Sequence, residues 1–151
     1  MLLQVKLAQT EQEKELAFDI RKKVFVEEQG IPLHLEIDEF DQTATHFVVL
    51  ENNHIPIAAA RIREIELNVG KVERVCVLPA HRRKHLGVLI MNALEQHAKQ
   101  NGWKKLKLNA QTNAIPFYEK LAYQVTSPEF DDAGIPHRAM EKEIEHNRDV
   151  S

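Results

Sequence analysis

The stretch "VLPAHRRKHLGVLIMNALEQHAKQNG", residues 77–102, sets the reading of the whole chain. A valine-rich strand, "GKVERVCVLP", runs into it and stops at Pro79. Beyond it Leu86, Leu89, Ile90, Ala93, Leu94 and Ala98 recur at helical period, and Asn101–Gly102 close the pattern. Three consecutive cations, Arg82, Arg83 and Lys84, stand at the junction, where the helix is expected to begin near Arg83. Cations there face the positive end of the helix macrodipole. About four backbone N–H groups also lack partners at a helix start, and such a place suits a phosphate or pyrophosphate. The three cationic side chains add charge-assisted donors to it. Gly87 inside the first turns costs about 1 kcal/mol against alanine, which points to close approach of a backbone or a ligand. The same spacing also fits a solvated basic helix end with a packing glycine.

Working outward, "LLQVKLA" is a short strand pattern, and "TEQEKELAFDIRKKVFVEEQG" opens with capping-box spacing from Thr10 to Glu13. Leu16, Ile20 and Val24, with Ala17 and Phe18, give this second segment an apolar helical stripe, ended by Gly30 and Pro32. An acidic loop, "LEIDEFDQT", follows. "THFVVLENNHIPIAAARIREIEL" reads as two strands turning at Glu51–Asn53. After the central helix, "WKKLKLNA" alternates as a strand, "AIPFYEKLA" is a short helix, and "YQVTS" and "PHRAMEKEIE" are the last strands. The order is β-α-β-β-β-α-β-α-β-β, a mixed α/β sheet flanked by helices. The 151 residues are expected to form one domain over residues 1–146, with a tail at 147–151.

Formal net charge is -3, so any basic site is local and a nucleic-acid partner is not expected. Cys76 is the single cysteine, which rules out an intrachain disulfide, and no histidine and cysteine spacing resembles a metal site. No apolar run approaches the roughly 20 residues that span a bilayer, and "MLLQVKLAQTEQEKE" lacks signal-peptide order, so no membrane partner and a cytoplasmic location are expected.

"VCVLPAHRRKHLGVLIMNALEQHA" resembles motif A of the GCN5-related N-acetyltransferases, the GNAT superfamily, in which a valine-rich strand leads into Q/R-x-x-G-x-G/A and a long helix. Arg82 matches the Q/R position and Gly87 the final G/A; His85 replaces the middle glycine. "QTNAIPFYEKLAYQV" resembles motif B, with Gln111 in the asparagine place, Ala114, Phe117, Tyr118 and Lys120 matching, and Ala122 and Tyr123 replacing glycine and phenylalanine. "IRKKVFVEEQGIP", "EIDEFDQTATHFVV", "LNAQT" and "FDDAGIPHRAM" are similar to the ElaA-like branch. The resemblance implies a single-domain, mostly antiparallel GNAT sheet. It implies acetyl-CoA as co-substrate, and acetyl transfer to a primary amine of a small molecule or peptide.

The same resemblance implies roles. The loop of Arg82, Arg83, Lys84, His85, Leu86 and Gly87 would hold the pyrophosphate, and the backbone of Val75 and Val77 the pantetheine arm and acetyl carbonyl. Gln111 or Asn113, with Phe117, would hold the cofactor chain, and Tyr118 would serve the CoA sulfur. Two residues compete as general base. Glu73 lies two positions before Val75, on the same face of a regular strand. Histidine is a residue type suited to proton transfer near neutral pH, and His137 follows Gly134 and Pro136. The acidic residues Glu27, Glu28, Glu36, Asp38, Glu39 and Asp41 would favour a cationic amine if they line the acceptor side, and otherwise form a solvated loop. "IRKKVF", "EIDEFD" and Arg61 or Arg63 also resemble elements of acyl-homoserine-lactone synthases, which use an acyl carrier donor. A third reading is a non-catalytic CoA-binding sensor. The sequence names no acceptor, and pairing into a homodimer through strand edges is left open.

Overall fold

The computed structural model describes residues 2–145. The expected tail, residues 147–151, lies outside the described residues. The strands are β1 (Leu3–Ala8), β2 (Thr45–Glu51), β3 (Ile55–Glu66), β4 (Val69–Val77), β5 (Lys105–Gln111), β6 (Gln124–Val125), β7 (Phe130–Asp132) and β8 (Ile135–Glu143). The α-helices are α1 (Glu11–Arg21), α2 (Leu33–Glu36), α3 (Leu86–Gln100) and α4 (Ile115–Lys120). The sheet runs β1-β2-β3-β4-β5-β8-β6, with β7 paired to β8. It is mixed and mostly antiparallel, flanked by helices, as the sequence predicts. Its parallel register joins β4 to β5, from Val69↔Lys105 to Val72↔Leu108. No helix among the described residues is long and apolar enough to cross a membrane.

The chain packs as two compact units, Met1–Arg63 with Glu73–Ala93, and Glu64–Val72 with Leu94–Ser151. In the first, Thr10 and Glu13 form the predicted capping box of α1. The helical path then widens to a π-helix over Lys22–Glu28, closed by Gln29 N–H to Val24 O (3.1 Å). Ala17, Ile20, Val24 and Phe25 of this path pack with Val48, Leu50, Ala59 and Cys76, so the apolar stripe read from sequence is the core face. The predicted turn between β2 and β3 uses Asn52 and Asn53 in left-handed conformation (φ 54° and 68°), which asparagine tolerates better than most residues. The acidic loop is more ordered than the sequence suggests. It holds α2 and a 3₁₀ turn over Glu39–Gln42, capped by Asp38 and Asp41.

In the second unit, Leu106, Leu108 and Ala110 of β5 are buried with Met140 of β8, matching the alternation of "KLKLNA". Gly70 lies against the Trp103 ring, where a Cβ would find no room. Along α3, Leu86, Ile90, Leu94 and Ala98 are buried as expected. Leu89 is instead exposed, and Met91 takes its place inside.

Candidate active site

The expected site residues divide between the units. Glu73, Val75, Val77 and Arg82–Gly87 lie in the first; Gln111, Asn113, Phe117, Tyr118 and His137 lie in the second.

In the first unit, β4 leaves the sheet through Leu78, whose N–H bonds Ile57 O (2.9 Å), and enters a 3₁₀ turn over Pro79–His81. The α3 helix begins at Leu86, not near Arg83. Arg83 and His85 are both left-handed (φ 69° and 60°), so the cations form a turn before the helix, not its first coil. His85 occupies a conformation natural to glycine, which accounts physically for the glycine of the motif at this place. Arg83, Lys84 and His85 are exposed. The first α3 bond runs from Leu89 N–H to His85 O (3.1 Å), so the N–H groups of Leu86, Gly87 and Val88 belong to the open first turn.

Arg82 differs from its neighbours. Its Nη1 and Nη2 grip both carboxylate oxygens of Glu28 at the π-helix end (2.8 and 2.7 Å). Its Nε donates to Val77 O (3.0 Å). The hydrogen bond from Arg82 holds the Glu28 carboxyl below its ordinary value. The Val77 carbonyl is therefore engaged by Arg82.

Arg74, one residue before Val75, has φ 60°, so β4 is kinked between Glu73 and Val75 and is not the regular strand expected there. The Arg74 guanidinium ties this kink to the α2 segment through Glu36 O (3.2 Å), Leu35 O (3.1 Å) and Asp38 (3.1 Å). Around it lies a cluster that the sequence reading did not foresee. Arg21 and Arg61 are fully buried. Arg21 bonds Glu36 (2.8 Å) and Asp41 (2.7 Å); Arg61 bonds Asp38 (2.7 Å), Asp41 (2.9 Å) and Glu73 (2.9 Å). Burial opposes the Asp41 charge, yet bonds from Arg21, Asp38 N–H and Arg61 hold its carboxyl well below the usual range. Burial pushes the Glu36 carboxyl up against Arg74 and Arg21; its oxygens facing both guanidiniums favour the ion pair. His46, buried, gives its Nε2 hydrogen to Asp41 O (2.8 Å), and burial lowers its pKa. The sequence signal for this cluster was an arginine inside the apolar run "IAAARI".

Glu73 accepts from Arg61 and, at 2.7 Å, from Arg63 Nε. The acidic run from Glu27 to Asp41 thus presents few open carboxylates: Glu28, Glu36, Asp38 and Asp41 each face arginine. Cys76 is buried with its thiol directed to Ala59 O (3.8 Å), and burial pushes its pKa up to about 12, which fits a core residue and not a nucleophile.

In the second unit, Gln111 ends β5 and stands opposite His137 of β8. His137 stacks on Phe130 (6.1 Å between centroids). Its Nδ1 lies 2.7 Å from Ile135 O. A carbonyl only accepts, so Nδ1 carries a hydrogen, and in the neutral imidazole the lone pair is the one on Nε2. Asn113 is exposed in the short turn before α4. Tyr118 is buried on α4, edge-on to Phe117 (5.0 Å) and Tyr123 (5.9 Å).

The family model described as Acetyltransferase (GNAT) domain matches residues 8–144, across both units. The chain is 45% identical over 138 residues to the uncharacterized N-acetyltransferase YjcF of Bacillus subtilis, covering 91% of this chain and 97% of that one. A provisionally named N-acetyltransferase of Lactobacillus plantarum superposes with TM-score 0.90 at 28% identity, covering 95% and 99% of the two chains. Escherichia coli ElaA superposes with TM-score 0.83 at 23% identity, covering 93% and 99%, a likeness of fold.

Proposed function

Because this chain belongs to the GNAT acetyltransferase family, we propose that it moves an acetyl group from acetyl-CoA directly to a primary amine of a small-molecule or peptide acceptor. The observation that carries this reading is the left-handed turn of Arg83 and His85 between β4 and α3, with exposed cations beside the open first turn of a helix. Those groups fit a pyrophosphate, since backbone N–H donors and cations converge in one short segment. Acetyl-CoA, when bound, supplies the thioester and the thiolate leaving group.

The chain's own residues then have these tasks. Arg83, Lys84 and His85, with the N–H groups of Leu86 and Gly87, hold phosphate oxygens, and Arg82 joins them when it releases Glu28. Val75 and Val77 hold the pantetheine arm and acetyl carbonyl through their backbone; Gln111 or Asn113, with Phe117, hold its lower part. The lone pair on His137 Nε2 accepts the amine proton as the new C–N bond forms. His137 is a better base than Glu73, whose Oε1 already accepts three arginine bonds. The Tyr118 hydroxyl gives a proton to the departing sulfur.

The test is thiol release from acetyl-CoA across a panel of amines, with calorimetry for binding. Tyr118→Phe keeps the packed ring and should lower kcat about 100-fold while acetyl-CoA affinity is retained. Binding without turnover on any amine supports a sensor instead. Turnover only with an acylated carrier protein supports a lactone-synthase-like donor. Absence of CoA binding sinks the acetyl-transfer and sensor readings.

A further inference from the structure

The charged cluster of the first unit has a rim, and the rim is one-sided in its chemistry. Its carboxylates are saturated. Asp38, with its side chain 25% exposed, accepts from Phe40 N–H, from Arg61 twice and from Arg74. Asp41 accepts from Arg21 twice, from Arg61 and from Asp38 N–H. Two oxygens offer about four lone-pair sites, so neither residue has room for an ammonium group. The partly exposed guanidinium of Arg63 is not saturated. Arg63 gives its Nε and one long bond (3.4 Å) to Glu73. Among the described residues no hydrogen bond reaches its Nη1, and a guanidinium carries five donors.

Arg63 also packs over an aromatic ring. Its guanidinium carbon lies 3.9 Å from the centroid of the Phe40 ring, which is itself 39% exposed. A planar guanidinium set over a ring, with an Nη1 that no hydrogen bond reaches among the described residues, matches a carboxylate. The ring beside it is exposed apolar surface, and the chain segment that carries Phe40 also exposes Leu33 and Leu35. The fork is anchored through Glu73, two residues from Val75.

We propose that the acceptor is an amino-carboxylate with an apolar side chain, that Arg63 takes the carboxylate, and that Phe40 backs the fork and contacts the side chain. This rests on the acetyl-transfer reading and deepens it. It replaces the cationic amine that the acidic run suggested, because four of its six carboxylates, Glu28, Glu36, Asp38 and Asp41, face arginines.

The experiment compares phenylalanine, phenethylamine and spermidine as acceptors in the thiol-release assay. Phenylalanine should exceed phenethylamine in kcat/KM by about ten-fold or more, the scale of one charge-assisted bidentate contact. In Arg63→Gln, and in Arg63→Lys, which keeps the charge but not the fork, that ratio should fall toward one through KM, with acetyl-CoA affinity retained by calorimetry. Equal or better use of phenethylamine or spermidine by the parent protein overturns the proposal, whether or not the variants fold. If no amine is turned over, phenylalanine is titrated directly. Binding that is lost in Arg63→Gln upholds the subsite while the acetyl-transfer reading falls; no binding overturns the subsite as well.

Discussion

Replacing Arg21 by methionine should destabilise this protein more than any exposed substitution. The side chain is fully buried, and methionine keeps much of its aliphatic volume while removing every donor. Four bonds disappear: Nε to Glu36 (2.8 Å), Nη1 and Nη2 to Asp41 (2.7 and 3.2 Å), and Nη2 to Glu36 O (2.7 Å). Glu36 and Asp41, 2% and 6% exposed, then each lose one of two arginine partners. Removing one partner of a buried ion pair costs about 3–5 kcal/mol. Arg74 still faces Glu36, and Arg61 still bonds Asp41, which places the expected loss near the lower end, about 3 kcal/mol. For a chain of this size that is a fall in Tm of about 6–12 °C. Thermal unfolding followed by circular dichroism measures it. The acid limb gives a second readout. A carboxyl held below its ordinary value, as Asp41 is, contributes stability that is present above pH about 4 and is lost as pH falls through its folded value. Glu36, pushed the opposite way by burial, offsets part of that loss. Arg21→Met removes a main support of the Asp41 shift, so its stability should fall less steeply in acid than the parent's. A Tm within about 2 °C of the parent, or an unchanged acid limb, would refute the assignment of this cluster as a load carried by Arg21.

Gly70→Ala puts a methyl group into the Trp103 ring and 3.0 Å from Leu106 Cδ2; overpacking of about 1–3 kcal/mol should lower Tm, and the single tryptophan should report the shift in its fluorescence. An unchanged emission spectrum and Tm would contradict the packing described. His85→Gly should leave stability near the parent's, since relief of a left-handed histidine, about 1 kcal/mol, is countered by glycine's greater freedom when unfolded. Calorimetry should show acetyl-CoA binding at least as tight; loss of binding would make the imidazole itself a phosphate ligand. Glu28→Gln releases Arg82 from an exposed ion pair of about 0.2–1 kcal/mol, so CoA affinity should rise about 1.4- to 5-fold at low salt. A weaker complex would mean that Glu28 aims Arg82 and does not compete for it.

The parts legible in the sequence are those set by local rules. Valine alternation, Pro79 and the period of Leu86, Ile90 and Leu94 give strand, break and helix; Thr10 and Glu13 give a cap; Asn52 and Asn53 give a turn. What escaped was decided by tertiary contacts. The start of α3 moved to Leu86 because Arg83 and His85 adopt left-handed angles, which no side-chain pattern announces. The ionic cluster escaped because Arg21 sits on a helix whose polar positions otherwise face solvent, and its partners lie 15 and 20 residues away. The pairing of Gln111 with His137 depends on the register of β8, which fixes which residues of two distant motifs meet. The kink at Arg74 looked like an ordinary strand position, since arginine is not a residue that signals a bulge.

The π-helix of Lys22–Glu28 works as a buffer of chain length. Each of its bonds spans one residue more than an α-helical bond, so the segment holds a surplus that the α-pattern does not need. A deletion of one residue there could be absorbed without breaking the helical path, because the remaining bonds would close at the ordinary spacing. Residues on either side would keep their phase, because the bulge itself takes up the surplus. The change would fall on the segment: Phe25, packed with Ala59 and Cys76, and Glu28, which holds Arg82 from fifty-four positions away, owe their places to the wider turn. One extra residue thus serves a core contact and an ion pair at once without disturbing the helix before it.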